Sequence, residues 1–167
     1  DVSVVSPEAL LVGSQVTIYG VMEGYLNRAV SMVMQQMSGL QTDYYRDFNC
    51  DPIDVNTNGR WTAMYGTGGL IDLNTTQEVA ENQEKYVLLA ISQMWEALLF
   101  STAADLWGAI PYSQAANPEY AEPKFDSQQD VHMAVLDLID DAIENFQKGQ
   151  TFALPVEYDF TFSADID

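Results

Sequence analysis

Apolar positions spaced three or four residues apart recur along most of the chain, a pattern typical of amphipathic α-helices. They predict helical structure over residues 7–38, with a break, and again from Trp61 to about Ala80 despite three intervening glycines. Ser6-Pro7-Glu8 combines the cap, the proline and the early acid of a helix start. Gly39 is expected to end the first helical region, and residues 40–58 are predicted to form a loop.

The strongest helix pattern covers residues 82–107, which are apolar on nearly every face and therefore predict a central helix covered by its neighbours. Gly108 and Pro111 are expected to end it. After a polar connection, Asp126-Ser127-Gln128-Gln129 resembles a capping box with Asp126 as the cap, opening an amphipathic helix that runs to about residue 147. The chain after Gly149 is predicted to be β-like or irregular. The prediction is a mainly α fold built from helix–loop–helix units.

The charge of the chain narrows the range of partners. There are 25 acidic residues against 6 basic ones, a net charge of -19, which disfavours nucleic acid and anionic membrane surfaces. The chain contains no run of about 18 apolar residues, so no bilayer span is predicted. The single cysteine, Cys50, excludes an internal disulfide framework. The end at Asp165-Ile166-Asp167 lacks a terminating element, so we expect one domain that continues in a longer protein.

Candidate catalytic residues are scarce. His132 is the only histidine, and it lies beside acids on the polar side of a predicted helix, where a surface role is expected. One histidine and one cysteine exclude a multi-histidine metal site. Carboxylates are so abundant that no single pair indicates glycoside hydrolysis. These residues therefore indicate no catalytic constellation.

One segment resembles part of a calcium loop. Asp54, Asn56 and Asn58 alternate and are followed by Gly59, as in the first half of such loops. The twelfth position is Tyr65 rather than a glutamate. The favoured alternative is therefore an Asx-rich turn that caps the next helix, with Asn58 as the cap. Calcium stays open as a hypothesis, and no other cofactor is predicted.

Aromatic and amide side chains concentrate in the predicted loop and the helix after it. Aromatic rings suit the apolar face of a sugar, and amide or guanidinium groups suit its hydroxyls. The candidate ligand-binding residues are Tyr44, Tyr45, Arg46, Asn49, Asn56, Arg60 and Trp61. Trp61 and Tyr65 lie four residues apart, which is also the spacing of a core face, so core packing is the alternative for this pair.

Two motifs resemble those of a known family. The segment from Asp105 to Ala115, Asp-Leu-Trp-Gly-Ala-Ile-Pro-Tyr-Ser-Gln-Ala, resembles the D-L-[FW]-G-x-[IV]-P-Y-[ST]-x-A hallmark of the SusD/RagB family. Pro123-Lys124-Phe125-Asp126 resembles the family's second anchor, which opens a helix whose ending here is Leu138-Ile139-Asp140-Asp141-Ala142-Ile143. The resemblance covers about residues 7–150, the N-terminal portion of a family member.

This resemblance implies a helical scaffold of tetratricopeptide-like helix pairs with irregular ligand-facing loops. It implies a surface lipoprotein of the outer membrane that binds a glycan, or in some relatives a peptide-derived nutrient, and delivers it without catalysis to a SusC-like TonB-dependent transporter. The lipid-anchor cysteine would precede Asp1, so Cys50 is not that residue. The hallmark residues Asp105, Trp107, Gly108, Pro111 and Tyr112 would be structural. The alternative function is a helical protein–protein interaction scaffold without a small ligand.

Overall fold

The computed structural model describes residues 6–38, 48–49, 54–66, 68–148, 154–159 and 161, of which residues 25, 54–58 and 156 are described by their backbone alone. The described part is mainly helical, as the sequence predicts. Its elements are α1 (Pro7–Tyr19), a π-helical segment (Gly20–Leu26), α2 (Asn27–Val33), α3 (Asp54–Tyr65), α4 (Leu70–Asn82), α5 (Tyr86–Trp107), α6 (Gln128–Lys148) and a short 3₁₀ helix (Val156–Tyr158).

Helix α5 is the centre of the core. It packs most extensively against α6 and then against α4, while α1 packs on α4 and contacts α5. By length and composition α5 resembles a membrane span, but 78 % of its most apolar stretch is buried inside the molecule. Leu88, Leu99 and Phe100 are fully enclosed. The prediction of a central helix covered by neighbours is therefore confirmed, although its first helical residue is Tyr86 rather than residue 82.

The first helical region is continuous but irregular. The predicted break is a π-helical segment at Gly20–Leu26, in which the helix widens between α1 and α2. The region ends at Val33, several residues before Gly39. Gln35 adopts a φ of 57° there, so a non-glycine residue takes the left-handed position beyond the helix end. Placing the stop at Gly39 was therefore wrong.

The chain from Asp54 to Asn82 forms two helices where the sequence pattern predicts a loop and then one helix. Helix α3 already begins at Asp54, so the loop prediction is wrong for residues 54–58, and Asn58 lies inside the helix rather than capping it. The helix predicted from Trp61 to Ala80 is interrupted after Tyr65. Gly68 has a φ of 81°, and a Cβ there would collide with the Thr17 side chain. Glycine at this position lets the chain turn tightly against α1.

Local polar contacts fix the helix ends. Ser6 caps α1 by accepting a hydrogen bond from the backbone N–H of Ala9, as predicted. Lys85, at the start of α5, forms an ion pair with Glu8 of α1 at 2.5 Å. At α6 the cap is Ser127, whose hydroxyl accepts from the Asp130 N–H at 3.1 Å and donates to the Asp130 carboxylate at 2.7 Å. The cap predicted at Asp126 is therefore wrong by one residue, and of the reciprocal pair of a capping box only the bond from the N–H of Asp130 to the cap side chain is present.

The segment near the C-terminus lies against α1. The buried Gln15 side chain donates a 2.7 Å hydrogen bond to the carbonyl of Tyr158, in the short 3₁₀ helix. The chain after Gly149, predicted to be β-like or irregular, contains this helical turn in its described part.

Candidate ligand-binding site

The predicted ligand residues of the 44–61 region are only partly described. Tyr44, Tyr45 and Arg46, like Cys50, lie outside the described residues. Asn49 is described and exposed, and Asn56 lies in α3 with its side chain outside the description. This group therefore stays a prediction.

Arg60 and Trp61 occupy adjacent positions on α3 with different surroundings. The Trp61 ring packs against Tyr65 at 4.8 Å between ring centroids and edge-on against Trp107 at 5.4 Å. It therefore contributes to the aromatic core that the four-residue spacing predicts. The Nε atom of Arg60 is buried and makes no hydrogen bond within the described part of the chain. A buried donor of this kind usually has an acceptor, which makes Arg60 the stronger ligand candidate of the two.

The calcium hypothesis stays a prediction, for residues that lie in α3. Asp54, Asn56 and Asn58 lie in a regular helix rather than in a loop that could wrap an ion. Residues two apart do not share a helix face. Within the described residues, no three side chains of histidine, cysteine, aspartate or glutamate form a group that could hold a metal ion.

The hallmark segment ends α5 and turns the chain toward α6. Gly108 adopts a φ of 74°, the left-handed turn expected of a glycine at this point. Two residues later Ile110 is fully buried and pairs with Asp126 in an antiparallel bridge. The carbonyl of Pro111 accepts a 2.7 Å hydrogen bond from the Tyr65 hydroxyl. These contacts agree with a structural role for the hallmark.

Asp105 and His132 link the start of α6 to the end of α5. His132 Nε2 lies 3.1 Å from Asp105 Oδ1, and both side chains are solvent-accessible. The surface position predicted for His132 is therefore confirmed, and its partner is the first residue of the hallmark.

Asp126 organises the turn after the hallmark proline. Its carboxylate accepts hydrogen bonds from the backbone N–H of Tyr112 at 3.1 Å and of Ser113 at 2.8 Å, and from the Ser113 hydroxyl at 3.0 Å. The Nζ atom of Lys124 lies 3.0 Å from Asp126 Oδ1. Burial alone would raise the pKa of Asp126, but these donors together hold it below its usual value. The sequence pattern assigned this residue to the helix cap and missed this role.

Glu96 is a buried carboxyl group inside the apolar helix α5. It is 7 % exposed. It accepts a 2.7 Å hydrogen bond from the Gln77 amide and a 3.0 Å hydrogen bond from the Tyr112 hydroxyl. Burial raises the pKa of Glu96 in spite of these two donors. Burial and the nearby Glu96 carboxylate likewise raise the pKa of Tyr112. In the sequence, the acidic Glu96 among the apolar residues of the predicted central helix is the signal that could have indicated this site.

Two cavities adjoin one another along α4. The larger, of about 620 Å³, lies between α4, the first half of α5 and the end of α6. The smaller, of about 480 Å³, lies over Glu96 and reaches the connection from Tyr112 to Pro118. Asn74 and Glu78 line both cavities. The two form a polar groove that the sequence analysis did not predict.

Comparison with known proteins shows the family. The whole chain, residues 1–167, matches the family SusD-like_2, described as "Starch-binding associating with outer membrane". No curated protein sequence matches it. The fold is similar to the crystal structure of a SusD/RagB family protein from Bacteroides thetaiotaomicron, with a TM-score of 0.83 and 21 % identity over 96 % of this chain. This chain covers 34 % of that protein's length, about one third. It belongs to the SusD/RagB family.

Proposed function

We propose that this chain is part of a non-catalytic glycan-binding protein at the outer-membrane surface. The protein captures an oligosaccharide or polysaccharide and delivers it to a SusC-like TonB-dependent transporter. The observation that carries the proposal is the family match over residues 1–167, since that family is one of starch-binding proteins associated with the outer membrane. Anchoring through a lipid and tetratricopeptide-like pairing of the helices belong to the same proposal.

Two features of the chain support a binding role. The net charge of -19 favours neutral or cationic ligands over anionic polymers. The buried Arg60 Nε lacks an acceptor within the described part of the chain, and a sugar hydroxyl would supply one. Arg60 lies on α3 and is followed in the chain by Trp61.

Affinity electrophoresis of the full-length protein against a panel of neutral and amino-bearing polysaccharides tests this function. We expect at least one polysaccharide to retard the protein. Arg60→Met should weaken that binding by about tenfold or more, because a hydrogen bond to a charged group contributes about 1.5–3 kcal/mol. Arg28→Met removes the same charge from α2 and serves as the matched control. Normal melting temperatures for both variants would confirm that they are folded.

Two outcomes would count against the proposal. Absence of retardation by every polysaccharide would remove its glycan-binding part. Failure of the full-length protein to co-purify with a large outer-membrane barrel from its own membranes would remove the delivery step and favour a scaffold without a small ligand.

A further inference from the structure

The larger cavity has a floor made of two buried carboxamides. Asn145 Nδ2 donates a 3.0 Å hydrogen bond to Gln93 Oε1, and each residue is only 8 % exposed. The other polar atoms, Gln93 Nε2 and Asn145 Oδ1, make no hydrogen bond within the described residues, although both side chains line the cavity. Among the described residues these two atoms do not count as fully enclosed polar atoms without a partner, so both reach the open space of the cavity. One donor and one acceptor are therefore available at the bottom of the cavity.

This pair of atoms matches a hydroxyl group. A hydroxyl donates one hydrogen bond and accepts others, so one ligand hydroxyl can bind both carboxamides at once. The wall beside the floor carries the ring of Tyr86 and the buried side chain of Leu89, which supply apolar surface. A volume of about 620 Å³ lies within the usual range of small-molecule sites. Floor and wall together favour a polyhydroxylated ring.

The rim of the cavity is negatively charged. It carries four carboxylates and one lysine, Lys148, which is already paired with Glu144 at 2.8 Å. Such a rim concentrates cations and repels anions. Within the described residues, no three of these acids form a group able to hold a metal ion. Carboxylates that do not converge on one point suit an organic cation better than a bare metal ion.

We infer that this cavity binds an amino-sugar unit of a glycan, a polyhydroxylated ring that carries an ammonium group. Its hydroxyls bind the carboxamides of Gln93 and Asn145, and its ammonium group lies among the rim carboxylates. The adjoining cavity over Glu96, with Asn117 and Ser113 on its walls, receives the next sugar unit of the chain. The inference rests on the proposed glycan-binding function and narrows it to cationic glycans at this site.

Calorimetric titration of the full-length protein with a β-1,4-linked glucosamine tetramer tests the inference. The matched ligand is the fully N-acetylated tetramer, which keeps the same rings but carries no positive charge. We expect the glucosamine tetramer to bind at least tenfold more tightly, and the difference to shrink in high salt because the attraction is screened.

Matched variants test whether binding occurs in this cavity. Glu81→Gln combined with Asp141→Asn neutralises two exposed rim acids. It should weaken binding of the glucosamine tetramer at least fivefold. Glu119→Gln combined with Asp140→Asn removes two exposed charges outside the cavity and should change affinity less than twofold. Equal effects of the two pairs, or equal affinity for the two tetramers, would overturn the inference.

The two experiments distinguish failure of the amino-sugar site from failure of the proposed glycan-binding function. Retardation by a neutral polysaccharide without binding of the glucosamine tetramer would overturn the amino-sugar site and leave the glycan-binding proposal intact. Absence of both would overturn both.

Discussion

Asp126 and Glu96 are two buried carboxyl groups that accept hydrogen bonds from different groups of the same residue, Tyr112. Asp126 binds its backbone N–H and Glu96 binds its hydroxyl. The pKa of Asp126 is lowered, because two backbone donors, a hydroxyl and Lys124 outweigh its burial. The pKa of Glu96 is raised, because burial outweighs its two neutral donors. The balance between burial and the donors therefore decides the direction of each shift: burial prevails at Glu96, and four donors, one of them charged, prevail at Asp126.

The two carboxyl groups give stability opposite dependences on pH. The folded-state pKa of Asp126 lies below its ordinary 3.8, so its stabilisation is present above that pH and is lost as the pH falls through the lowered value. The folded-state pKa of Glu96 lies above its ordinary 4.5. Its contribution is complete below pH 4.5 and is lost as the pH rises toward the raised value.

Removal of the Asp126 carboxylate should have the largest effect. Asp126→Ala removes the carboxylate that accepts from two backbone N–H groups and one hydroxyl in a half-buried turn, so we expect a loss of about 3 kcal/mol in the free energy of unfolding. Denaturant titration at neutral pH measures it. Glu122→Ala, an exposed acid in the same connection, is the control and should change stability by less than about 0.5 kcal/mol. Similar losses for the two variants would show that Asp126 does not organise the turn.

Glu96→Gln should change the pH dependence of the free energy of unfolding more than it lowers that free energy at neutral pH. The amide oxygen still accepts from Tyr112, and the Gln77 amide can rotate to match the new group, so the change at neutral pH should stay within about 1 kcal/mol. The fall in stability above pH 4.5 that Glu96 causes should disappear. Denaturant titrations at several pH values reveal it, with Glu81→Gln as an exposed control. If the free energy of unfolding of the variant still falls above pH 4.5 as steeply as that of the parent protein, Glu96 is not the group responsible.

Lys124→Ala should have the smallest effect. Its side chain is 60 % exposed, and exposed ion pairs contribute about 0.2–1 kcal/mol. We expect a loss of about 0.5 kcal/mol that vanishes in 1 M salt, measured by the same titration. A loss as large as that of Asp126→Ala would mean that the lysine, rather than the backbone donors, sustains the lowered pKa of Asp126.

The sequence predicted the features that depend on local chemistry. The cap at Ser6, the central position of α5 and the turn at Gly108 follow from neighbouring residues, and all three are present. The start of α3 at Asp54 was missed, because Asn, Asp and Gly favour turns while helix packing can override that preference.

The candidate groove depends on contacts that no local pattern contains. The carboxamides of Gln93 and Asn145 come from different helices, 52 residues apart in sequence. In the sequence, each of these two residues resembles an ordinary polar position on a helix. The hydrogen bonds of Asp126 to Ser113 span 13 residues across an irregular connection. Such pairings emerge only when the helices pack.

The ion pairs of the lysines have a consequence for how copies of the protein behave together. Each of the three lysines, Lys85, Lys124 and Lys148, lies against a carboxylate of its own chain. None of these three lysines is left without an acidic partner to attract a neighbouring acidic copy. Copies crowded on one surface would therefore repel one another over about 10 Å at 0.1 M salt. Dense packing of this protein requires salt, or a basic partner placed between the copies.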